Sequence, residues 1–346
     1  MDNLINHPGV IATFAVTVVI MLMLDLGIFN KKSHAISNKE ALIWSVVWIG
    51  LSMLFSGFIY YTMGIEKFAQ FQSAYWIEKA LSVDNLFVFI LVFGYFKVPK
   101  EYHHKILFWG IIGALVMRAF FIFAGVGLIK LTYLPDFELF GWKFILEHAE
   151  GVHVNYDLKE FFRPNVVLTI FGLFLIYAGI TSWFAGDEEE KDEDYSQNPG
   201  ARLVKRFFKV SDKFHGDKFF TIENGIRVAT PMMVVVAVIE FTDLIFAVDS
   251  IPAIFAIAPD DPMILYTSNI FAILGLRSLY FLLANFIHMF SKLKYGLAVI
   301  LTFIGVKMVI APFYHVDSVV SLSIVGGVLF LSVIVSLLFP PKEKAL

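Results

Sequence analysis

The chain has 346 residues, 58% of them hydrophobic and only 16% charged, with no Cys and a formal net charge of −3. Its mean hydropathy is +0.74. Soluble domains carry about 25% charged residues, so an ordinary soluble enzyme, a disordered chain and a disulfide-stapled secreted domain are all excluded. Without Cys there is no thiolate nucleophile, thiolate metal site or iron–sulfur cluster, and the slight acidity gives no reason to expect nucleic acid as a partner.

Apolar runs of more than about 18 residues, the length that spans a bilayer, recur along the sequence. Nine spans are expected, at roughly 10–29, 41–63, 74–96, 106–130, 166–185, 229–258, 264–289, 295–311 and 318–339. They are continuously apolar rather than alternating, which argues for helices and against a barrel. The expected fold class is therefore all-α, a polytopic helical membrane protein forming a single transmembrane domain. The first span follows Met1-Asp2-Asn3, with no basic stretch, and reads as a retained span rather than a cleaved signal. With the N-terminus outside, cytoplasmic loops hold 18 Lys and Arg residues and outer loops 5. That bias predicts N-out, C-in.

Two loops are long. The segment 131–165 carries Asp136, Glu138, Glu147, Glu150, Asp157 and Glu160 among aromatics and is expected outside, as a folded flap or an interfacial helix pair. The cytoplasmic segment 186–228 opens with the acidic run from Gly186 to Asp194, which reads as solvated chain. It then turns basic at Arg202, Lys205, Arg206 and Lys209, a pattern expected to meet anionic headgroups. Either loop is a candidate docking site for another membrane protein.

Charges at membrane depth cost roughly 2.5–3.5 kcal/mol each on insertion scales and mark function by default. The third span holds Glu78, Lys79 and Asp84, followed by Asn85; the sixth holds Glu240, Asp243 and Asp249, with Thr242 and Ser250 beside them. Arg118 and Arg277 lie in the fourth and seventh spans, Asn269 in the seventh, Lys307 in the eighth and Asp25 near the inner end of the first. Arg118, Arg277 and Lys79 read as charge-compensating residues, each Arg contacting an intramembrane carboxylate. Six carboxylates against four cations leave two negative charges, which a divalent cation would neutralise.

The two acidic spans match. Glu78-x5-Asp84-Asn85 has the spacing of Asp243-x5-Asp249-Ser250; each is followed by an Arg-bearing span and then by an apolar span with an internal Gly, Gly179 or Gly305. Repeat A is placed at about 74–185, with 131–165 as an external insertion, and repeat B at about 229–311. Three spans per unit invert the second copy, and such repeats hold their substrate near the midplane at their interface. The spans 10–29, 41–63 and 318–339 are additional. Asp243 and Asp249 are six apart, about 120° around a straight helix, so Pro252 is expected to open the helix near Val248.

Carboxylate, carboxamide, hydroxyl and carbonyl oxygens suit Mg, Ca or Mn. No motif for catalysis is present, and no nucleotide site, so transport would run on an ion gradient. Asp84 and Asp249 are expected to meet at the midplane and ligate a divalent cation, with Ser250, Asn269 and Asp25 as supporting polar groups.

Glu78-Lys-Ala-Leu-Ser-Val-Asp84-Asn85, the Glu240 to Ala253 segment with its Asp243 and Asp249, Thr267 to Arg277 and Leu293-Lys-Tyr-Gly-Leu-Ala-Val299 together resemble the TerC family of bacterial integral membrane proteins, close to its Alx-type members. That family is similar in build to LysE-type exporters. The resemblance implies a bacterial plasma membrane protein, manganese efflux or metal supply to exported enzymes, and a metal set of Glu78, Asp84, Asn85, Glu240, Asp243 and Asp249 as the cation-handling residues. It selects Mn²⁺ over Mg²⁺ and Ca²⁺ as the transported substrate, with no tightly bound cofactor and protons as the coupling ion. The compact members lack the 131–165 insertion. Two other readings are carried: an exporter of Ca²⁺ or a basic amino acid, and a membrane-assembly or metal-delivery factor that acts through its loops.

Overall fold

A bilayer offers backbone groups no water, so apolar runs satisfy their own N–H and C=O groups as helices. The computed structural model describes residues 4–29, 38–147, 153–184, 194–283 and 293–338. Its helices are α1 (Pro8–Phe29), α2 (Asn38–Tyr95), α3 (Lys100–Leu131), α4 (Val166–Phe184), α5 (Pro199–Phe207), α6 (Pro231–Phe255), α7 (Pro262–Leu274), α8 (Leu276–Leu283), α9 (Leu293–Ile310) and α10 (Ser318–Leu338). Among the described residues six helices are long and apolar enough to cross a membrane, or seven when the bent pair α7–α8 counts as one span, with Pro8–Leu24 a shorter apolar helix. The chain is thus a polytopic helical membrane protein.

Four expectations change. The spans 41–63 and 74–96 join in α2, which is interrupted only at Gly64 (φ 85°, ψ −177°). Glycine reaches that conformation without a Cβ clash, so the helix resumes at once and no loop separates its two arms, 38–63 and 65–95. Lys67, expected in an outer loop, consequently sits on a helix. The expected span 264–289 breaks at Gly275 with a bend of 40°. Conversely, α6 runs unbroken through Pro252, where an opening was expected. Pro252 still withholds an N–H from the Val248 carbonyl, but only three residues of helix follow it before the end at Phe255, so no long second arm is there to be redirected.

The segment 131–165 folds as a flap, and it is β rather than a helix pair. β1 (Phe137–Leu139) pairs antiparallel with β2 (Trp142–Leu146), and β3 (Glu160–Phe162) lies parallel to β2. Phe140 and Gly141 turn the hairpin with φ of 54° and 78°, the two positive values that a tight right-twisted hairpin needs. Phe144 and Phe161 pack on the Phe313 ring, and the Phe162 N–H donates to the Pro312 carbonyl at 3.0 Å. The flap therefore covers the link between α9 and α10. At the opposite end of α3, β4 (Phe220–Glu223) and β5 (Ile226–Ala229) form a second hairpin, turned by Asn224-Gly225 with φ of 51° and 74°. Of the acidic run from Gly186 to Asp194 only Asp194 lies within the described residues; the basic segment after it forms α5, N-capped by Asn198 with Pro199 at the first helical position.

The bundle pairs α2 and α7, α3 and α6, and α4 and α9. α4 and α9 meet through glycines: a Cβ on Gly305 would fall 2.5 Å from the Gly172 carbonyl oxygen, and one on Gly172 2.9 Å from that of Gly305. Small residues of this kind let membrane helices approach backbone to backbone.

Candidate functional site

The polar centre of the bundle is built on Arg118, which is fully buried midway along α3. Its guanidinium donates to Glu78 Oε1 on α2, to Asp243 Oδ1 on α6 at 3.5 Å and to Asn269 Oδ1 on α7 at 3.3 Å. Glu78 and Asp243 are 1% and 5% exposed. Ser82, one turn along from Glu78, donates to the same Oε1 at 3.3 Å. Four helices thus converge on one guanidinium. Its planar fork lets it serve several oxygens at once, which an ammonium could not do as well.

Not every atom here is served. Glu78 Oε2, Arg118 Nε and Asn269 Nδ2 are buried with no hydrogen-bond partner among the described residues. Ser250 Oγ, on α6, is in the same condition. Buried polar atoms without partners are rare in folded proteins and call for an explanation.

Lys79 faces elsewhere. It is buried, and its Nζ donates at 3.0 Å to the Ala272 carbonyl, in the last turn of α7 before the break. A Cβ on Gly275 would fall 2.8 Å from that Nζ. Gly275 therefore lets the ammonium reach the end of α7, where carbonyls lose their helical partners. Glu240 is half-buried in a notch on α3: a Cβ on Gly113 would fall 1.9 Å from its Oε1. Arg277 is buried on α8, with His104 of α3 close enough for their charges to interact. Asn85 is buried on α2. The side chains of Asp25, Asp84 and Asp249 lie outside the described residues, although the helices carrying them are described. Among the described residues no three of His, Asp and Glu converge as a metal set. Of the expected acids, the structure brings together Glu78 and Asp243, and it puts a cation between them.

A second charged cluster sits near the flap. Lys67 Nζ and the Leu4 N–H both donate to Asp261 Oδ2, at 3.1 and 3.0 Å, and Asp261 Oδ1 caps α7 through the Ile264 N–H at 3.2 Å. Burial raises the carboxyl of neighbouring Asp260, with Lys130 and Lys67 opposing that rise. Lys307 donates to Ser321 of α10 at 2.9 Å. Sequence reasoning missed Ser82, Gly113, Gly275 and Asp261. Only Asp261 carried a usable signal, as an Asp directly before the Pro that opens a helix.

A family model described as the integral membrane protein TerC family matches residues 63–344. The chain belongs to the TerC family. It is 40% identical over 336 residues to an uncharacterized membrane protein of Myxococcus xanthus, covering 96% of this chain and 93% of that one. It is 40% identical over 343 residues to Alx of Escherichia coli strain K12 and 39% identical over 343 residues to Alx of Photorhabdus laumondii, covering 96% of this chain and 96% of each. The name of those two proteins offers them as membrane-bound redox modulators. No solved structure matches the chain. As a TerC protein it is a multi-pass integral membrane protein of a bacterial family.

Proposed function

We propose that this TerC protein is a secondary transporter that exports a divalent cation, Mn²⁺, in exchange for protons. The observation that carries the proposal is the meeting of Glu78 and Asp243 at one buried guanidinium. These two acids hold matching places in two units of three helices, and a site shared by inverted units is where transporters of this build keep their substrate. The reciprocal packing of α2 on α7, α3 on α6 and α4 on α9 supports that repeat. It is the pattern a two-fold axis between the units would generate. Asp84 and Asp249 follow their partners by six residues and would extend the oxygen set along the same two helices, beside Asn85 and Ser250.

Hard oxygen donors favour Mn²⁺, Mg²⁺ or Ca²⁺ over softer metals, and the choice of Mn²⁺ among them rests on the family. Ligating carboxylates must be deprotonated, so protonation from the far side would release the ion. The redox wording attached to the Alx relatives cannot act through thiols here, because this chain has no Cys. The distribution of Lys and Arg supports an N-terminus outside and a C-terminus in the cytoplasm.

The test is Mn²⁺ flux from reconstituted vesicles under an imposed pH gradient. Asp84→Asn and Asp249→Asn are each expected to insert normally and to lose flux; wild-type flux from either variant sinks the proposal. A second reading, partner assembly or metal delivery, draws on the flap tip, where Leu139 and Phe140 are 52% and 91% exposed. Replacing 131–165 with a short linker would abolish that role and spare flux.

A further inference from the structure

Arg118 sits among oxygens of the kind that bind a hard cation. The oxygens around it are two carboxylates and a carboxamide, drawn from α2, α6 and α7. That is the donor chemistry of a hard divalent cation. A purely structural pair would be expected to satisfy its buried atoms completely. Here Glu78 Oε2, Arg118 Nε and Asn269 Nδ2 have no partner among the described residues. The guanidinium uses only part of what the site offers, and one carboxylate oxygen of Glu78 is left without a donor.

We infer that Arg118 is the resident cation of the site, holding Glu78 and Asp243 together while no substrate is bound, and that a divalent cation must displace it from those oxygens to bind. The inference rests on the export reading above. Its physics is simple competition. Glu78 and Asp243 contribute two negative charges and Arg118 one positive, so adding a divalent cation without moving the guanidinium would set like charges side by side in a low-dielectric interior. The cation therefore binds only to the fraction of molecules in which the guanidinium has left, and its apparent affinity falls by that fraction. The same contacts favour release, because the returning guanidinium re-pairs the two acids and the emptied site is not left as two bare buried carboxylates.

The test measures Mn²⁺ binding to the purified full-length protein in detergent, by titration and by the Mn²⁺-dependent shift in thermal midpoint. In Arg118→Gln the competitor is gone. Mn²⁺ is expected to bind at least about tenfold tighter than to wild type and to raise the midpoint further, while vesicle flux slows because release is no longer assisted. Arg118→Lys keeps a charge but loses the fork, and is expected to fall between the two.

An Arg118→Gln protein that folds only when Mn²⁺ is present supports the inference, since the metal then replaces the missing cation. Equal or weaker binding by Arg118→Gln overturns it. If that variant fails to fold even in saturating Mn²⁺, Arg118→Lys decides: binding no tighter than wild type overturns the inference. Wild type that binds Mn²⁺ with variants that bind no tighter removes this inference alone. No Mn²⁺ binding by wild type or either variant removes the export reading as well.

Discussion

Helix α3 carries two cations that each meet carboxylates. Lys105, near its first turn, reaches Asp217 Oδ2 at 2.7 Å; Arg118, in its middle, meets Glu78 and Asp243. By distance alone Lys105 makes the better bond to its partner than Arg118 makes to Asp243. Solvent reverses that ranking. Lys105 and Asp217 are 29% and 64% exposed, so water stands ready to replace either partner. Arg118, Glu78 and Asp243 are all buried, so removing one leaves the others as uncompensated charges in the interior. The worth of an ion pair in this molecule is set by what happens when it is broken.

The largest expected effect follows directly. Arg118→Ala leaves two buried carboxylates without a counter-charge and is expected to cost about 3–5 kcal/mol, read as a large loss of thermal midpoint in detergent without divalent cation. Lys105→Ala should cost about 1 kcal/mol or less. Equal losses from the two variants would break the comparison.

The Lys67–Asp261 pair sharpens it. Both residues are buried, but Asp261 also accepts from the Leu4 N–H and caps α7. In Asp261→Asn the side-chain oxygen can still accept from the Ile264 N–H, while the negative charge bonded directly to Lys67 is lost. The loss is expected at about 2–3 kcal/mol, between the other two, because Asp260 remains within electrostatic reach of Lys67. A loss as large as that of Arg118→Ala would mean that Asp260 leaves Lys67 uncompensated.

Much of this was legible in the sequence, because the governing constraint was hydrophobicity over whole turns. The apolar runs became helices, and Arg118 had to find a carboxylate. Which carboxylate was not legible: six intramembrane acids were available, and the choice of Glu78 and Asp243 depends on how α2, α3 and α6 pack. The departures trace to single residues. Gly64 joined two expected spans by breaking a helix without needing a loop, and Gly275 divided one expected span to admit Lys79. Pro252, the strongest breaker in the sixth span, left α6 unbroken: only three residues of helix follow it, so it has no second arm to redirect. The Asn224-Gly225 dipeptide carries a hairpin signal that went unread; the β structure of the flap carries none, since β2 and β3 pair across 13 residues of intervening chain with no periodic signal.

The smallest expected effect is at Asp217, and it carries a pH signature that the buried site does not share. The hydrogen bond and charge of Lys105 hold the Asp217 carboxyl below its ordinary value of 3.8. A folded value below the unfolded one means that the pair stabilises above about pH 3.8 and loses its contribution as pH falls through the folded value. Asp217→Asn should therefore match wild type at low pH and fall slightly behind it near neutrality. The hairpin has other holds on α3: Lys105 lies over the Phe219 ring at 5.2 Å, Trp109 meets that ring edge-on at 6.2 Å, and Tyr102 contacts Phe214 at 6.2 Å. These contacts are apolar or quadrupolar and survive the substitution. Amide hydrogen exchange in β4 and β5 at neutral pH should accelerate by no more than about fivefold in Asp217→Asn, the equivalent of an exposed pair, and high salt should shrink the difference. If the hairpin instead exchanges freely in this variant, Asp217 is holding it in place, and the surface pair would have to be ranked with the buried ones.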